Sequence, residues 1–264
     1  MLSIQEQLLY STLRIECLDK DQNLIMVGTG FLLSRTIEDK KVKIYLVSNK
    51  HILMCADKIS LSFTQRKGEE AEHGTIVQFL IEDVKTNVVG HPNVDVDVAV
   101  LECTGFFTRF LQQLYIKTVP VEMISDFNET ELTVAENVLF VGYPDDRYDK
   151  VNNLPLVRQG LIASHPKRDY NGKPIFIIDA QVFPGSSGSP VFIDLTYENM
   201  KNGVIEVGTR KMKLLGVVAS TMVCNNQLTV IPAGFQLTAR EVIGLGIVYK
   251  AYLIKDILAM MPVS

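Results

Sequence analysis

The sequence predicts an all-β chain, folded as barrels or a sandwich rather than as a βαβ unit. Runs rich in β-branched and aromatic residues recur between turn signals over most of its 264 residues. Helical periodicity is confined to a few short stretches. With 47% hydrophobic and 21% charged residues the composition is ordinary for a globular protein, long enough to bury a substantial core, and it excludes extended disorder.

In chain order the strands are expected at residues 12–17, 24–34, 43–48, 58–63, 75–80 and 96–101, and then at 137–141, 157–163, 174–179, 190–194, 213–221, 227–231 and 246–250. Ile44-Tyr45-Leu46-Val47 and Val98-Ala99-Val100-Leu101 are continuous apolar runs, the pattern of buried strands. One helix is expected at 106–115, where Phe106, Phe107, Phe110, Leu111 and Leu114 recur at helical spacing. A second is expected at 252–261, with Leu253, Ile254, Ile257, Leu258 and Met261 on one side. The segment 106–134 turns polar and acidic over 125–131 and reads as the connection between two β units. Residues 197–211 read as the exposed end of a long hairpin.

Charge and cysteines narrow the function classes. A net charge of -4 and the lack of a Lys/Arg run give no basic face for nucleic acid. No stretch approaches the roughly 20 apolar residues of a membrane span, and the N-terminus shows no secretory signal. Cys17, Cys55, Cys103 and Cys224 lie far apart, without metal-ligand spacing. They are expected as buried free thiols in a reducing cytoplasm.

The most informative stretch is Phe183-Pro184-Gly185-Ser186-Ser187-Gly188-Ser189-Pro190. Acyl transfer needs a serine on a tight turn, with backbone N–H groups converging where the tetrahedral oxyanion forms. Gly185 permits that conformation and Gly188 leaves room for substrate. Alone, the stretch also fits a plain Gly/Ser-rich β-turn. Ser48-Asn49-Lys50-His51 places a histidine at the end of an apolar strand, where a structural role is the commoner one. Asp95-Val96-Asp97 places carboxylates in a run that otherwise reads as buried, where a charge needs a partner; the plain alternative is a solvated edge strand. Each signal is weak alone; in the order His, Asp, Ser they point to nucleophilic catalysis. Period two puts Asp95 and Asp97 on one face, so periodicity does not choose between them. The apolar run that follows places Asp97 nearer the core, where a carboxylate most needs the imidazole.

Gly28-Thr29-Gly30-Phe31, residues 48–53 and 97–101, Val141-Gly142-Tyr143-Pro144 and residues 179–190 resemble the trypsin-like peptidases of bacteria, closest to the HtrA-like and related cytosolic branches. The resemblance runs from about Leu9 to the C-terminal helix. It implies a single peptidase domain over 1–264 of two six-stranded antiparallel β-barrels (chymotrypsin-like), with the active site between them. The first barrel would span about 9–105, the connection about 106–134, and the second barrel with its C-terminal helix about 135–264. The α/β-hydrolase elbow G-x-S-x-G does not fit, because Ser189 occupies its second glycine and its triad order is Ser, Asp, His.

By this resemblance Ser187 is the nucleophile, His51 the general base and Asp97 its orienter, with the N–H groups of Gly185 and Ser187 as the oxyanion hole. The substrate pocket would involve Gln181 and the strand carrying Ala219, Ser220 and Thr221. No aspartate stands at Gln181 to hold a basic side chain, so a small or apolar residue is expected before the scissile bond. His165 with Thr221 is the polar alternative. No metal or organic cofactor is needed, and the partner is a protein or peptide substrate. A binding module after the peptidase domain, as in HtrA proteins, is not expected, and the cysteines do not match the disulfides of secreted relatives. Ser186 stands where secreted relatives carry the aspartate that pairs with a freshly cut N-terminus. The loop 183–187 is therefore expected to be ordered in the chain as synthesised, or by a partner or substrate. The alternatives are a catalytically silent pseudoprotease serving as a binding or scaffold module, and an esterase on the same fold.

Overall fold

The computed structural model describes residues 2–37, 41–195, 198–201, 204–207, 212–230 and 235–262, of which 198–201, 204–207, 225–230 and 235–240 by their backbone. The chain opens with helix α1 (Ile4–Ser11), which sequence reading had not expected. Its signal was the S-x-x-E pattern Ser3-Ile4-Gln5-Glu6: the Ser3 hydroxyl accepts from the Glu6 N–H at 3.2 Å and the Glu6 carboxylate from the Ser3 N–H at 2.7 Å, a capping box.

The first half continues through β1 (Thr12–Leu18), β2 (Leu24–Thr36), β3 (Val42–Ser48), α2 (Lys50–Leu53), β4 (Lys58–Lys67), β5 (Glu70–Ile81), α3 (Val84–Asn87), β6 (Val88–Gly90) and β7 (Ala99–Glu102). These strands form a sheet in the order β5-β4-β1-β2-β3-β7-β6. The buried residues Ile15, Leu32, Leu46, Leu53, Ile59, Phe63 and their neighbours form one core. The strand expected over 96–101 starts only at Ala99. Before it, the Asn93 side chain and carbonyl accept from the N–H groups of Asp95 (2.9 Å) and Val96 (3.2 Å), and this turn occupies the backbone groups a longer ladder would use.

The connection carries α4 (Thr104–Phe110), which begins two residues before the expected helix and ends five residues short of it. Phe106, Phe107 and Phe110 meet Phe63 and Phe79 with centroids 4.7–6.0 Å apart. β8 (Val119–Pro120) then adds to β2 in parallel. The second half consists of β9 (Asn137–Gly142), β10 (Leu156–Ile162), β11 (Ile175–Asp179), β12 (Pro190–Asp194), β13 (Glu198–Lys201), β14 (Val204–Val207), β15 (Met212–Val230) and β16 (Phe235–Lys250). β10-β11-β16-β15-β12-β9 close into a six-stranded barrel around Phe140, Phe176, Ile178, Val182, Val191 and Val218.

The strands expected at 213–221 and 227–231 are one strand, β15. Register shifts at Val218/Ser220 and Thr221/Val223 bend it without ending it, and it pairs with β16 out to Val230↔Phe235. Ile231 lies outside the described residues. Within the segment read as a hairpin end, β13 and β14 pair as a separate ribbon; Tyr197, 202–203 and 208–211 lie outside the described residues. A third apolar cluster fills the seam between the halves, joining Phe31, Tyr45, Val98 and Val100 to Val141, Phe192, Leu214 and Val217.

The last helix, α5 (Tyr252–Met260), was expected on the second barrel. It instead inserts Leu253, Ile254, Ile257 and Leu258 into the seam cluster, beside β7. These residues form one buried apolar face. Among the described residues no helix is long and apolar enough to cross a membrane. The four cysteines are not uniformly buried as expected: Cys17 and Cys103 are, Cys55 is half-buried, and Cys224 is exposed on β15.

Candidate active site

At the end of the seam three segments meet, and the first carries His51. Strand β3 ends at Ser48, Asn49 turns the chain, and α2 starts with Ile52 and Leu53 anchored in the first core. That leaves His51 on the outer face, its side chain 43% exposed. Asp97 lies on the loop leading into β7. Its Oδ1 accepts from the His51 backbone N–H at 3.0 Å and its Oδ2 lies 2.5 Å from His51 Nδ1. The carboxylate thus satisfies an N–H that the short helix leaves open and also holds the ring. Asn49 Nδ2 donates to the Asp97 carbonyl at 2.7 Å, fixing the loop from the other side. The Asp95 side chain is solvent-facing, and its carbonyl accepts from the Tyr249 hydroxyl at 2.7 Å. Nearby, burial pulls the Lys50 ammonium below its usual pKa, opposed by Asp97 and Asp95.

The second segment is the turn before Ser187. The Ser186 N–H donates to the Phe183 carbonyl at 3.0 Å, with Pro184 and Gly185 between, and Gly185 has φ +84°. This is a type II turn, with proline at its second position and glycine at its third. A Cβ at Gly185 would also lie 2.4 Å from the Tyr143 carbonyl oxygen. The Pro184 carbonyl accepts from the Asp145 N–H at 2.7 Å. In a trans peptide C=O and N–H point oppositely, so this bond directs the Gly185 N–H away from Asp145. Among the described residues no protein group accepts from the N–H of Gly185 or of Ser187.

The third contact seats the turn on the first half. Gly188 (φ +90°) has no room for a side chain, since a Cβ would lie 1.8 Å from the Thr29 carbonyl oxygen and 2.3 Å from Ser48 Oγ. The Thr29 N–H donates to the Ser187 carbonyl at 2.9 Å and its hydroxyl donates to the Gly185 carbonyl at 2.7 Å. Ser187 is thereby held against β2 and the end of β3, three residues from His51. Its hydroxyl donates to the Ala219 carbonyl at 2.8 Å, so its proton is directed at β15 rather than at the imidazole. Ser186 and Ser189 are buried, so the neighbouring hydroxyls are closed to solvent.

The expected pocket residues gather at one end of the second barrel. Thr221 pairs with Gly246 across β16, and Ala180, next to Gln181, donates to the Gly244 carbonyl at 2.9 Å. Gln181 and Ser220 are exposed, Ala219 is buried and Thr221 is half-buried, its hydroxyl 3.3 Å from the Leu245 carbonyl. His165 is exposed. Sequence reasoning missed Asn49, Asp145, the clamping role of Thr29, and Arg158. The Arg158 guanidinium lies 5.0 Å from the Phe140 ring centroid and 5.2 Å from that of Phe183, and burial lowers its pKa. Thr29 and Asn49 had a sequence signal, lying within Gly28-Thr29-Gly30 and within Ser48-Asn49-Lys50-His51. Among the described residues no group of His, Cys, Asp and Glu side chains could hold a metal ion.

The arrangement can do acyl-transfer chemistry: a carboxylate-held imidazole, a serine following a tight type II turn, and two open N–H groups beside it. The family model of the trypsin-like peptidase domain matches residues 28–197. None of the curated proteins matches the chain. Among solved structures, the scabies mite inactivated protease paralogue S-I1 aligns over 98% of this chain and 99% of its own, at 15% identity and TM-score 0.51. Human heparin binding protein aligns over 99% and 94%, at 10% identity and TM-score 0.50. The active form of the Rv3671c protease from M. tuberculosis is 20% identical over 98% of this chain and 86% of its own, at TM-score 0.48.

Proposed function

We propose, for a chain that belongs to the trypsin-like peptidase domain family, that it is a serine endopeptidase working through an acyl-enzyme on Ser187. The observation that carries this reading is the doubly bound pair His51–Asp97, with the backbone N–H at 3.0 Å and Nδ1 at 2.5 Å. That geometry keeps the proton on Nδ1 and leaves Nε2 as the base. Rotation of Ser187 about χ1, a move between staggered wells, takes its hydroxyl from Ala219 to the imidazole. His51 then accepts the proton as Oγ attacks the scissile carbonyl, and Asp97 stabilises the imidazolium. The N–H groups of Gly185 and Ser187 receive the oxyanion, an effect of about 2.7–4 kcal/mol per donor in other enzymes. His51 returns its proton to the leaving amine, and water repeats the cycle to release the acyl group.

The residue before the scissile bond would be small or apolar, which the uncharged Gln181, Ala219, Ser220 and Thr221 support. A reducing compartment, the cytoplasm, is supported by Cys17 and Cys55, whose thiols both donate to the Ile52 carbonyl at 3.2 Å. The pseudoprotease reading has one observation in its favour, the Ser187 hydroxyl turned to Ala219, and a fluorophosphonate probe separates the two. Wild type should label and cleave a peptide library. Ser187→Ala should stay folded, fail to label, and lose activity by about a million-fold. A wild type that neither labels nor cleaves overturns the peptidase reading, and a labelling Ser187→Ala moves the nucleophile elsewhere.

A further inference from the structure

Secreted relatives, by the resemblance above, order this turn with a buried ion pair, but Ser186 offers no charge for one. The Thr29 hydroxyl lies where such a tie is needed. It is buried, has one proton and two lone pairs, and both kinds of site are used. It accepts from the Tyr143 N–H at 3.2 Å and donates to the Gly185 carbonyl at 2.7 Å. Because Tyr143 can only donate to it, its single proton is committed to Gly185. The hydroxyl therefore joins the 143–145 segment to the 183–186 turn. It sets the spacing at which the Asp145 N–H reaches the Pro184 carbonyl at 2.7 Å. That last bond turns the Gly185 N–H outward. The carbonyl of Thr29 accepts from Ser48 Oγ at 2.6 Å, so the same residue is tied to the strand that leads to His51.

We propose that Thr29 is a positioning residue that holds the Pro184–Gly185 peptide in the orientation an oxyanion hole requires, in place of a charge pair. Thr29→Val removes the hydroxyl but keeps the β-branched shape and the backbone N–H bond to the Ser187 carbonyl. Without the tie, rotation of the central peptide takes the Gly185 N–H out of the hole. Thr29→Ser keeps the tie.

The inference rests on the peptidase reading for its kinetic consequence and is tested in two arms. In the active chain, Thr29→Val should lower kcat about a hundred-fold, as loss of one hole donor does, with KM within about three-fold. Affinity for a peptide aldehyde, whose hemiacetal uses the hole, should fall in parallel. Thr29→Ser should recover most of both, and thermal melting should show all variants folded. In the Ser187→Ala background, where no cleavage is needed, the ¹⁵N-glycine amide resonance of Gly185 should move in Thr29→Val and return in Thr29→Ser. An unmoved Gly185 amide overturns the clamp. So does a kcat unchanged in Thr29→Val, or a loss that Thr29→Ser shares. A silent wild type with a moving amide removes the peptidase reading and leaves the clamp standing.

Discussion

Replacing Asp97 with asparagine tests the His51–Asp97 pair through the one property the two side chains do not share. The carboxylate accepts twice, from the His51 backbone N–H at 3.0 Å and at Nδ1, 2.5 Å away. A carboxamide has one accepting oxygen and one donating nitrogen. The backbone N–H cannot reverse its role, so the amide oxygen must stay with it and the NH₂ must face Nδ1. That forces Nδ1 to accept and moves the ring proton to Nε2, where it blocks removal of the Ser187 proton. The expected loss in kcat/KM is about ten-thousand-fold, the scale of the wrong tautomer in other triads, equivalent to about 5.4 kcal/mol of barrier. Unfolding does not account for a loss of that size: the two side chains are 43% and 28% exposed, and a pair so open to water contributes about 1 kcal/mol at most to folding. The assay is hydrolysis of a fluorogenic peptide at neutral pH, with thermal melting alongside. Asp97→Asn within ten-fold of wild type refutes the reasoning, as does an equal loss in Asp95→Asn.

Two further outcomes follow from the turn. Gly188→Ala places a Cβ 1.8 Å from a backbone oxygen at φ +90°; overpacking and backbone strain together should cost about 2–4 kcal/mol, read as a lower denaturation midpoint, and a wild-type midpoint would show that the two halves do not meet there. The 264-residue chain should hydrolyse peptides without N-terminal trimming, because a new ammonium would find only an uncharged, buried serine at Ser186. Mass spectrometry before and after the assay checks this, and activity that appears only after trimming refutes it.

The order and type of most strands were legible in sequence, because a strand's alternation and a turn's glycine and proline are local properties. So were the glycine-flanked serine turn and the histidine after an apolar strand, where residue types mark the backbone geometry directly. The capping box of α1 was equally local and went unread. Periodicity could not choose between Asp95 and Asp97, because period two puts both on one face, and the strand it assumes begins only at Ala99. What separates them is an acceptor position 46 residues from its donor, settled by how the loop folds over α2. Thr29 was visible as part of a glycine-flanked motif, but its bond to Gly185 spans 156 residues and exists only once the halves dock. The course of α5 was hidden for the same reason: its apolar face says that it is buried, and only the assembled seam says against what. Sequence alone determined which local geometries the chain adopts, since these follow from each residue's own sterics and polarity. Tertiary structure alone decided which hydrogen-bond partners meet, since a donor is committed to an acceptor only when packing brings the two within about 3 Å.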